Sequence, residues 1–138
     1  MNDLQRFTDA QEEDYAIALS EIKLGRKQSH WMWYVFPQIA GLGFSSTSKL
    51  YAIKDKGEAE SYLAHPTLGK RLIEISNALL EIDGKTANQI FGSPDDLKLK
   101  SSMTLFGALD ETDEVFQKVL DKYFNGAKDE KTLKLIDV

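Results

Sequence analysis

The longest stretch without a charged side chain is the feature that most constrains how this chain can fold. It comprises residues 28–48, QSHWMWYVFPQIAGLGFSSTS, and is 21 residues long. That length would suffice for a membrane span, which needs about 20 mostly apolar residues. His30, Pro37 and Gln38 interrupt the apolar part, however, and leave it too short. We therefore predict that the segment is buried in a soluble domain and that the protein has no membrane partner.

The sequence outside this segment has the spacing of amphipathic helices. Thr8-x-x-Gln11 has the form of a capping box, and the apolar residues that follow at helical spacing predict a first helix over about 9–24. Later in the chain, the cap residue Ser93 is followed by Pro94 and by two acidic residues, Asp95 and Asp96. This order predicts a helix over residues 94–108. Strand signals are nearly absent, and we interpret the most extended-looking stretch, residues 31–36, as a buried turn or short helix.

These patterns predict an all-α fold. We expect a single compact domain over residues 1–138, an irregular array of about six to eight helices with no substantial β-sheet. The first 14 residues are acidic and contain no apolar stretch, so we expect no signal peptide and a cytoplasmic location.

Composition narrows the classes of function. The net charge is -5, which argues against a duplex nucleic-acid partner, since such proteins usually carry a basic excess. The absence of cysteine excludes disulfides, thiolate nucleophiles and Cys-ligated metals. Only two histidines are present, so an all-histidine zinc site is impossible. We expect no metal and no cofactor, and the sequence does not decide whether the protein is an enzyme.

Aromatic residues are concentrated in the uncharged segment. One interpretation is that these large side chains form core. The other is that one or two of them line a slot for a flat ring, and that His30 and Gln38 donate or accept hydrogen bonds at its edge. The five aromatic residues are Trp31, Trp33, Tyr34, Phe36 and Phe44.

A glycine-rich turn follows the aromatic residues and leads into a predicted helix. Gly41 and Gly43 would let backbone N–H groups approach an anion, and Lys49 could neutralise it. The alternative is that the glycines only turn the chain and that a serine caps the helix.

The helix predicted around residues 97–106 is apolar around most of its circumference, as is typical of a central helix. Lys98 and Ser101 lie one turn apart on it, and together they could bind an anion. Simple ion pairing at helical spacing, Asp95 with Lys98 and Asp96 with Lys100, is the competing interpretation.

Three blocks of sequence resemble the signature of a bacterial family of proteins, the domain-of-unknown-function family 1810. The blocks are SHWMWYVFPQ (29–38) with Gly-Leu-Gly (41–43), YLAHPTLG (62–69), and LKLKSSMTLF (97–106). The resemblance covers nearly the whole chain and implies a compact helical protein. It implies no activity, substrate or catalytic residue.

Our first hypothesis is that the protein binds a small anionic or nucleotide-like ligand, and the sequence does not separate a pure binder from an enzyme that acts on this ligand. The pocket would be formed by the 29–46 segment and the 97–106 helix, and we expect His30, Trp33, Gln38 and Lys98 to border it. The full set of candidate ligand-binding residues is His30, Trp31, Trp33, Phe36, Gln38, Gly41, Gly43, Ser45, Lys49, Lys98 and Ser101.

Two further hypotheses remain open. The protein could be a protein–protein interaction module with an apolar groove between helices, and a homodimer would be one form of this. It could also bind single-stranded RNA through exposed tryptophans beside Arg26, Lys27 and Lys49. The sequence does not determine the oligomeric state.

Overall fold

The computed structural model describes residues 4–137, and within them the prediction of an all-α fold is confirmed. Three of the helices have only four or five residues, namely Met32–Val35, Ser46–Leu50 and Ala87–Phe91. In this part of the chain the only β-type pairing is an isolated parallel bridge between Ile39 and Ile53. The helices are α1 (Gln5–Lys23), α2 (Met32–Val35), α3 (Ser46–Leu50), α4 (Lys56–Ala64), α5 (Leu68–Leu80), α6 (Ala87–Phe91), α7 (Asp95–Gly107), α8 (Val115–Phe124) and α9 (Glu130–Ile136).

Helix α7 lies at the centre of this array. It packs against α4, α6, α8 and α9, and α5 packs against α1, α4 and α8 on the same core. Six consecutive residues of α7, 101–106, are buried, so the prediction that this helix is enclosed on most sides is confirmed. Its polar residues Lys98 and Ser101 are therefore held on a rigid element.

Helix α1 begins earlier than the sequence predicts. The helix starts at Gln5, so Thr8 lies inside it and its hydroxyl donates to the Gln5 carbonyl oxygen at 3.0 Å. The capping-box interpretation is wrong, because Gln11 is buried and does not bond back to the helix start. Its amide nitrogen donates to the Tyr34 carbonyl oxygen at 2.6 Å and to the Tyr62 hydroxyl at 2.9 Å.

The corner between α4 and α5 brings two backbones into close contact. His65 stabilises the start of α5, because its Nδ1 accepts hydrogen bonds of 3.1 Å from the backbone N–H groups of Thr67 and Leu68. Gly69 is fully packed beneath this corner. A Cβ atom at that position would lie 1.9 Å from the Leu63 carbonyl oxygen, so only glycine fits there.

The segment between α2 and α3 is attached to the body of the protein by the Ile39–Ile53 bridge. The Ala40 N–H donates to the Ile53 carbonyl oxygen, and the Ile53 N–H donates to the Gln38 carbonyl oxygen, both at 2.8 Å. None of the helices within residues 4–137 combines the length and the apolar content that crossing a membrane requires.

Candidate functional site

Two adjoining cavities lie where the 37–45 segment meets α3, α7 and α9. The central cavity has a volume of about 130 Å³, and the α7 cavity has a volume of about 280 Å³. They share a wall of Gln38, Gly43 and Ser48. The central cavity is also lined by Trp33, Ile39, Ala40, Gly41, Lys49, Tyr51 and Ala52, and the α7 cavity by Leu42, Pro94, Leu97, Lys98, Ser101, Asp129 and Lys131.

Lys98 and Trp33 meet at the boundary between the two cavities. The Lys98 ammonium lies 5.0 Å from the centroid of the Trp33 ring, within the range of a cation–π interaction. The ammonium also forms the predicted ion pair with Asp95 at 3.4 Å, whereas the predicted pair of Asp96 with Lys100 does not form among the described residues. Asp95 is shared, because Lys27 contacts its other oxygen at 2.9 Å. The Lys98 charge is therefore only partly compensated by this carboxylate.

Gln38 separates the cavities and lines both of them. Its backbone oxygen is used in the bridge to Ile53. Its side-chain amide makes no hydrogen bond with any other residue of the described range 4–137. A partly buried amide with a free donor and a free acceptor is suited to hydrogen-bond a bound molecule.

The far wall of the α7 cavity is a hydroxyl–carboxylate cluster. The Ser101 hydroxyl donates to the Asp129 carboxylate at 2.8 Å, and the Thr132 hydroxyl donates to the same oxygen. The Asp129 N–H donates to the Thr104 hydroxyl oxygen at 2.9 Å, which fixes the start of α9 against α7. Ser101 thus has a structural partner, and the wall it forms carries a negative charge.

The glycines of the turn allow close approaches. Gly43 packs on Ser48, and a Cβ atom at Gly43 would lie 2.5 Å from the Ser48 Cβ. Gly41 has φ +106° and faces Leu135 of α9. Ser45 caps α3, since its hydroxyl oxygen accepts from the Ser48 N–H at 3.1 Å. This confirms that the serine acts as a cap, and α3 is only five residues long.

Behind the central cavity, a tyrosine pair supports the wall. The Tyr51 ring packs 5.1 Å from the Tyr34 ring, and the Tyr34 hydroxyl donates to the Asp14 carboxylate. Burial raises the pKa of Tyr34 well above its ordinary value, and the hydrogen bond to Asp14 and its negative charge raise it further. Tyr34 is therefore neutral at all physiological pH values and acts as a fixed support.

The segment that leads into the site is anchored by Glu21. The carboxylate accepts from the backbone N–H groups of Gln28 and Ser29 at 2.8 and 2.9 Å, from the Ser29 hydroxyl at 2.5 Å, and from the Trp31 indole at 2.8 Å. Partial burial raises the pKa of Glu21, but the hydrogen bonds from Ser29, Gln28 and Trp31 together lower it from 4.5 to about 2.

Seven of the predicted site residues line these two cavities. They are Trp33, Gln38, Gly41, Gly43, Lys49, Lys98 and Ser101. The other four lie elsewhere. Trp31 and Phe36 are core residues with 1% of their surface exposed, Ser45 is an exposed helix cap, and His30 is exposed and lines neither cavity.

Four cavity residues with polar side chains were not predicted. Ser48 and Tyr51 come from α3 and its end, and Asp129 and Lys131 come from the start of α9. The spacing Ser45-x-x-Ser48 is a signal for a helix start that could have located Ser48. Asp129 directly precedes α9, but nothing in the local sequence indicates that it faces α7.

The arrangement can hold a small polar molecule. It offers one free amide, hydroxyl groups, and lysines beside an aromatic wall. Among residues 4–137, no three His, Asp or Glu side chains are grouped so that they could hold a metal ion.

The fold and this site define an all-α protein with a partly enclosed polar and aromatic pocket between its helices. The chain matches the family described as Protein of unknown function (DUF1810) over residues 1–136, and it belongs to that family. It is also similar to the conserved hypothetical protein Rv1873 from Mycobacterium tuberculosis, whose crystal structure superimposes with a TM-score of 0.97. The identity is 44%, over 99% of this chain and 98% of the other. A search of curated proteins finds no match.

Proposed function

We propose that the central and α7 cavities bind a small nucleotide-like ligand, with a flat ring in the central cavity and an anionic group in the α7 cavity. The observation that carries this proposal is the side-chain amide of Gln38. It borders both cavities and makes no hydrogen bond with another described residue.

The central cavity has the chemistry of a ring-binding slot. Trp33 and Tyr51 supply aromatic surface, and Ile39 and Ala40 supply aliphatic surface. Gln38 presents a donor and an acceptor side by side, which is the pattern needed to hydrogen-bond the edge of a heterocycle. A purely aliphatic ligand would leave the amide unsatisfied at a cost of about 1–3 kcal/mol.

The α7 cavity favours an anionic group through its lysines. Lys98 is held on the rigid helix α7, and Lys131 lies across from it on α9. Asp95 compensates part of the Lys98 charge at 3.4 Å. A phosphate or carboxylate between the two ammonium groups would form charge-assisted hydrogen bonds, which are about twice as strong as neutral ones.

The test is calorimetric titration of the protein with nucleoside 5′-monophosphates, with the corresponding nucleosides and with inorganic phosphate. We expect a monophosphate to bind more tightly than either of its parts. Gln38→Ala should weaken binding about tenfold, because one good hydrogen-bonding edge contributes about 1–3 kcal/mol. Gln28→Ala is the matched control, since Gln28 is exposed and lines neither cavity.

Circular dichroism should show both variants folded. Absence of binding by every monophosphate, or equal affinities for the two variants, would contradict the proposal.

An exposed apolar surface on α1 favours the interaction-module hypothesis as a second candidate. Ile17 lies on α1, and Leu24 directly follows the helix, two turns further along on the same face. The two residues are 47% and 76% exposed. A shallow cavity of about 360 Å³ lies beside them, lined by Ala16, Leu19, Ser20, Lys23 and Leu24. Such surfaces are typical of contacts with other proteins.

Sedimentation velocity of the wild-type protein and of Leu24→Asp tests whether this surface causes self-association. Sedimentation coefficients that are identical for the two proteins and independent of concentration would argue against a homodimer formed through α1.

A further inference from the structure

A third cavity adjoins the central cavity through a different set of wall residues. This α4 cavity has a volume of about 460 Å³ and shares Ala40, Lys49 and Ala52 with the central cavity. Its remaining lining residues are Arg6, Leu50, Lys54 and Glu58. The three cavities therefore adjoin one another in the order α7, central, α4, and this row forms a groove with the aromatic part in the middle.

Lysines are found toward both ends of this groove. Lys131 lies in the α7 cavity, Lys54 lies in the α4 cavity, and Lys49 lines both the central and the α4 cavities. None of these three lysines forms an ion pair within residues 4–137. The positive charges of these lysines are therefore not compensated by an ion pair with a described residue.

The carboxylates of the groove are engaged by the protein itself. Glu58 accepts from Arg6 at 2.8 Å and from the Lys54 backbone N–H at 3.0 Å. Asp129 accepts from Ser101 at 2.8 Å. Arg6 also donates to the Leu50 and Ala52 carbonyl oxygens at 2.8 and 2.9 Å. These hydrogen bonds hold the wall of the α4 cavity in place.

From this charge distribution we infer that the α4 cavity is a second anion subsite, served by Lys49 and Lys54. The inference rests on the proposed function. A ring in the central cavity would then have an anionic group on each side. The ligand class with this chemistry is a nucleoside that carries phosphate at both its 3′ and 5′ positions, either as a free bisphosphate or as a residue within a single strand.

The experiment compares the affinities of a nucleoside 3′,5′-bisphosphate and of its two monophosphates by calorimetric titration. We expect the bisphosphate to bind about tenfold more tightly than the 5′-monophosphate, because its second phosphate adds charge-assisted contacts in the α4 cavity; tenfold corresponds to about 1.4 kcal/mol. Lys54→Met should abolish this gain and leave the affinity for that monophosphate unchanged. Lys70→Met is the control, because Lys70 is exposed on α5 and lines none of the three cavities.

Three results distinguish the inference from the proposed function. Monophosphate binding without a gain from the second phosphate, or a gain that survives Lys54→Met, overturns the inference and leaves the proposed function standing. No binding by any of the nucleotides overturns both. If the inference holds, a short single-stranded oligonucleotide identifies the source: binding at least as tight as that of the bisphosphate indicates a strand, and weaker binding indicates the free nucleotide.

Discussion

The indole N–H of Trp31 donates a hydrogen bond of 2.8 Å to the Glu21 carboxylate, and this contact gives the two tryptophans of the chain different roles. Trp31 is held in the core with 1% of its surface exposed. Trp33, two residues later on the short helix α2, lines the central cavity instead. Glu21 of α1 therefore positions the segment that carries Trp33 and Gln38.

Glu21→Gln should destabilise the protein without changing its fold. The carboxylate accepts from two backbone amides, one hydroxyl and the indole, and a neutral amide oxygen accepts more weakly and presents an NH₂ group to some of these donors. We expect a loss of about 2–4 kcal/mol in the free energy of unfolding, measured by urea denaturation. The control is Glu12→Gln, because Glu12 is exposed on the same helix. This substitution should change the free energy of unfolding by less than about 0.5 kcal/mol. A loss that is equally small for Glu21→Gln would show that the contact is not stabilising.

The same carboxylate should make stability dependent on acid pH. Its pKa is lowered in the folded protein from 4.5 to about 2, so the unfolded chain binds the proton more readily. The stabilisation is fully present above pH 4.5 and is lost as the pH falls toward 2. Urea denaturation of the wild type and of Glu21→Gln between pH 6 and pH 2 should give curves that converge at the acid end. Parallel curves over this range would contradict the assignment.

The sequence predicted that His30, Trp33, Gln38 and Lys98 border one pocket; His30 lies outside it, and two local patterns explain why the other three come together. The uncharged aromatic segment had to be buried, and the helix around 97–106 was apolar on most sides. Two buried elements in a small all-α protein pack against each other, so the polar groups on them come close together. The structure places all three residues on the adjoining cavities.

Other parts of the site depend on tertiary contacts that local patterns do not encode. Helix α2 has only four residues, too few for a periodicity that would show which tryptophan faces outward. The difference in burial between Trp31 and Trp33 arises from the hydrogen bond that the Trp31 indole donates to Glu21, ten residues earlier in the chain. Asp129 likewise reaches the site through Ser101, 28 residues earlier in the chain. Such pairs are determined by how whole helices pack.

Gly69→Ala should be strongly destabilising. The new Cβ atom would lie 1.9 Å from the Leu63 carbonyl oxygen, and both groups belong to backbone that cannot move without separating α4 from α5. We expect a loss of about 3 kcal/mol or more in the free energy of unfolding. Gly57→Ala in α4 is the matched control. Its nearest neighbour would be the Asp55 side chain at 3.4 Å, so alanine should be neutral or stabilise by up to about 1 kcal/mol. Thermal unfolding followed by circular dichroism compares the two, and equal midpoints would refute the close-approach argument.

Asp129→Asn should increase the affinity for a nucleoside 5′-monophosphate. The carboxylate lines the α7 cavity and opposes the anion that Lys98 and Lys131 attract. Asparagine keeps an oxygen for the hydroxyl groups of Ser101 and Thr132 and is equally good before a helix, so the fold should be unaffected.

Removing one repulsion between charges near the surface is worth about 1 kcal/mol, which corresponds to about fivefold in the dissociation constant. Calorimetric titration at two salt concentrations measures the effect, and the gain should shrink at the higher one because salt screens the repulsion. Asp110→Asn, an exposed position that lines neither cavity, should change nothing. Weaker binding by Asp129→Asn would mean that the carboxylate contacts the ligand as an acceptor, and the anionic group would then have to lie elsewhere in the groove.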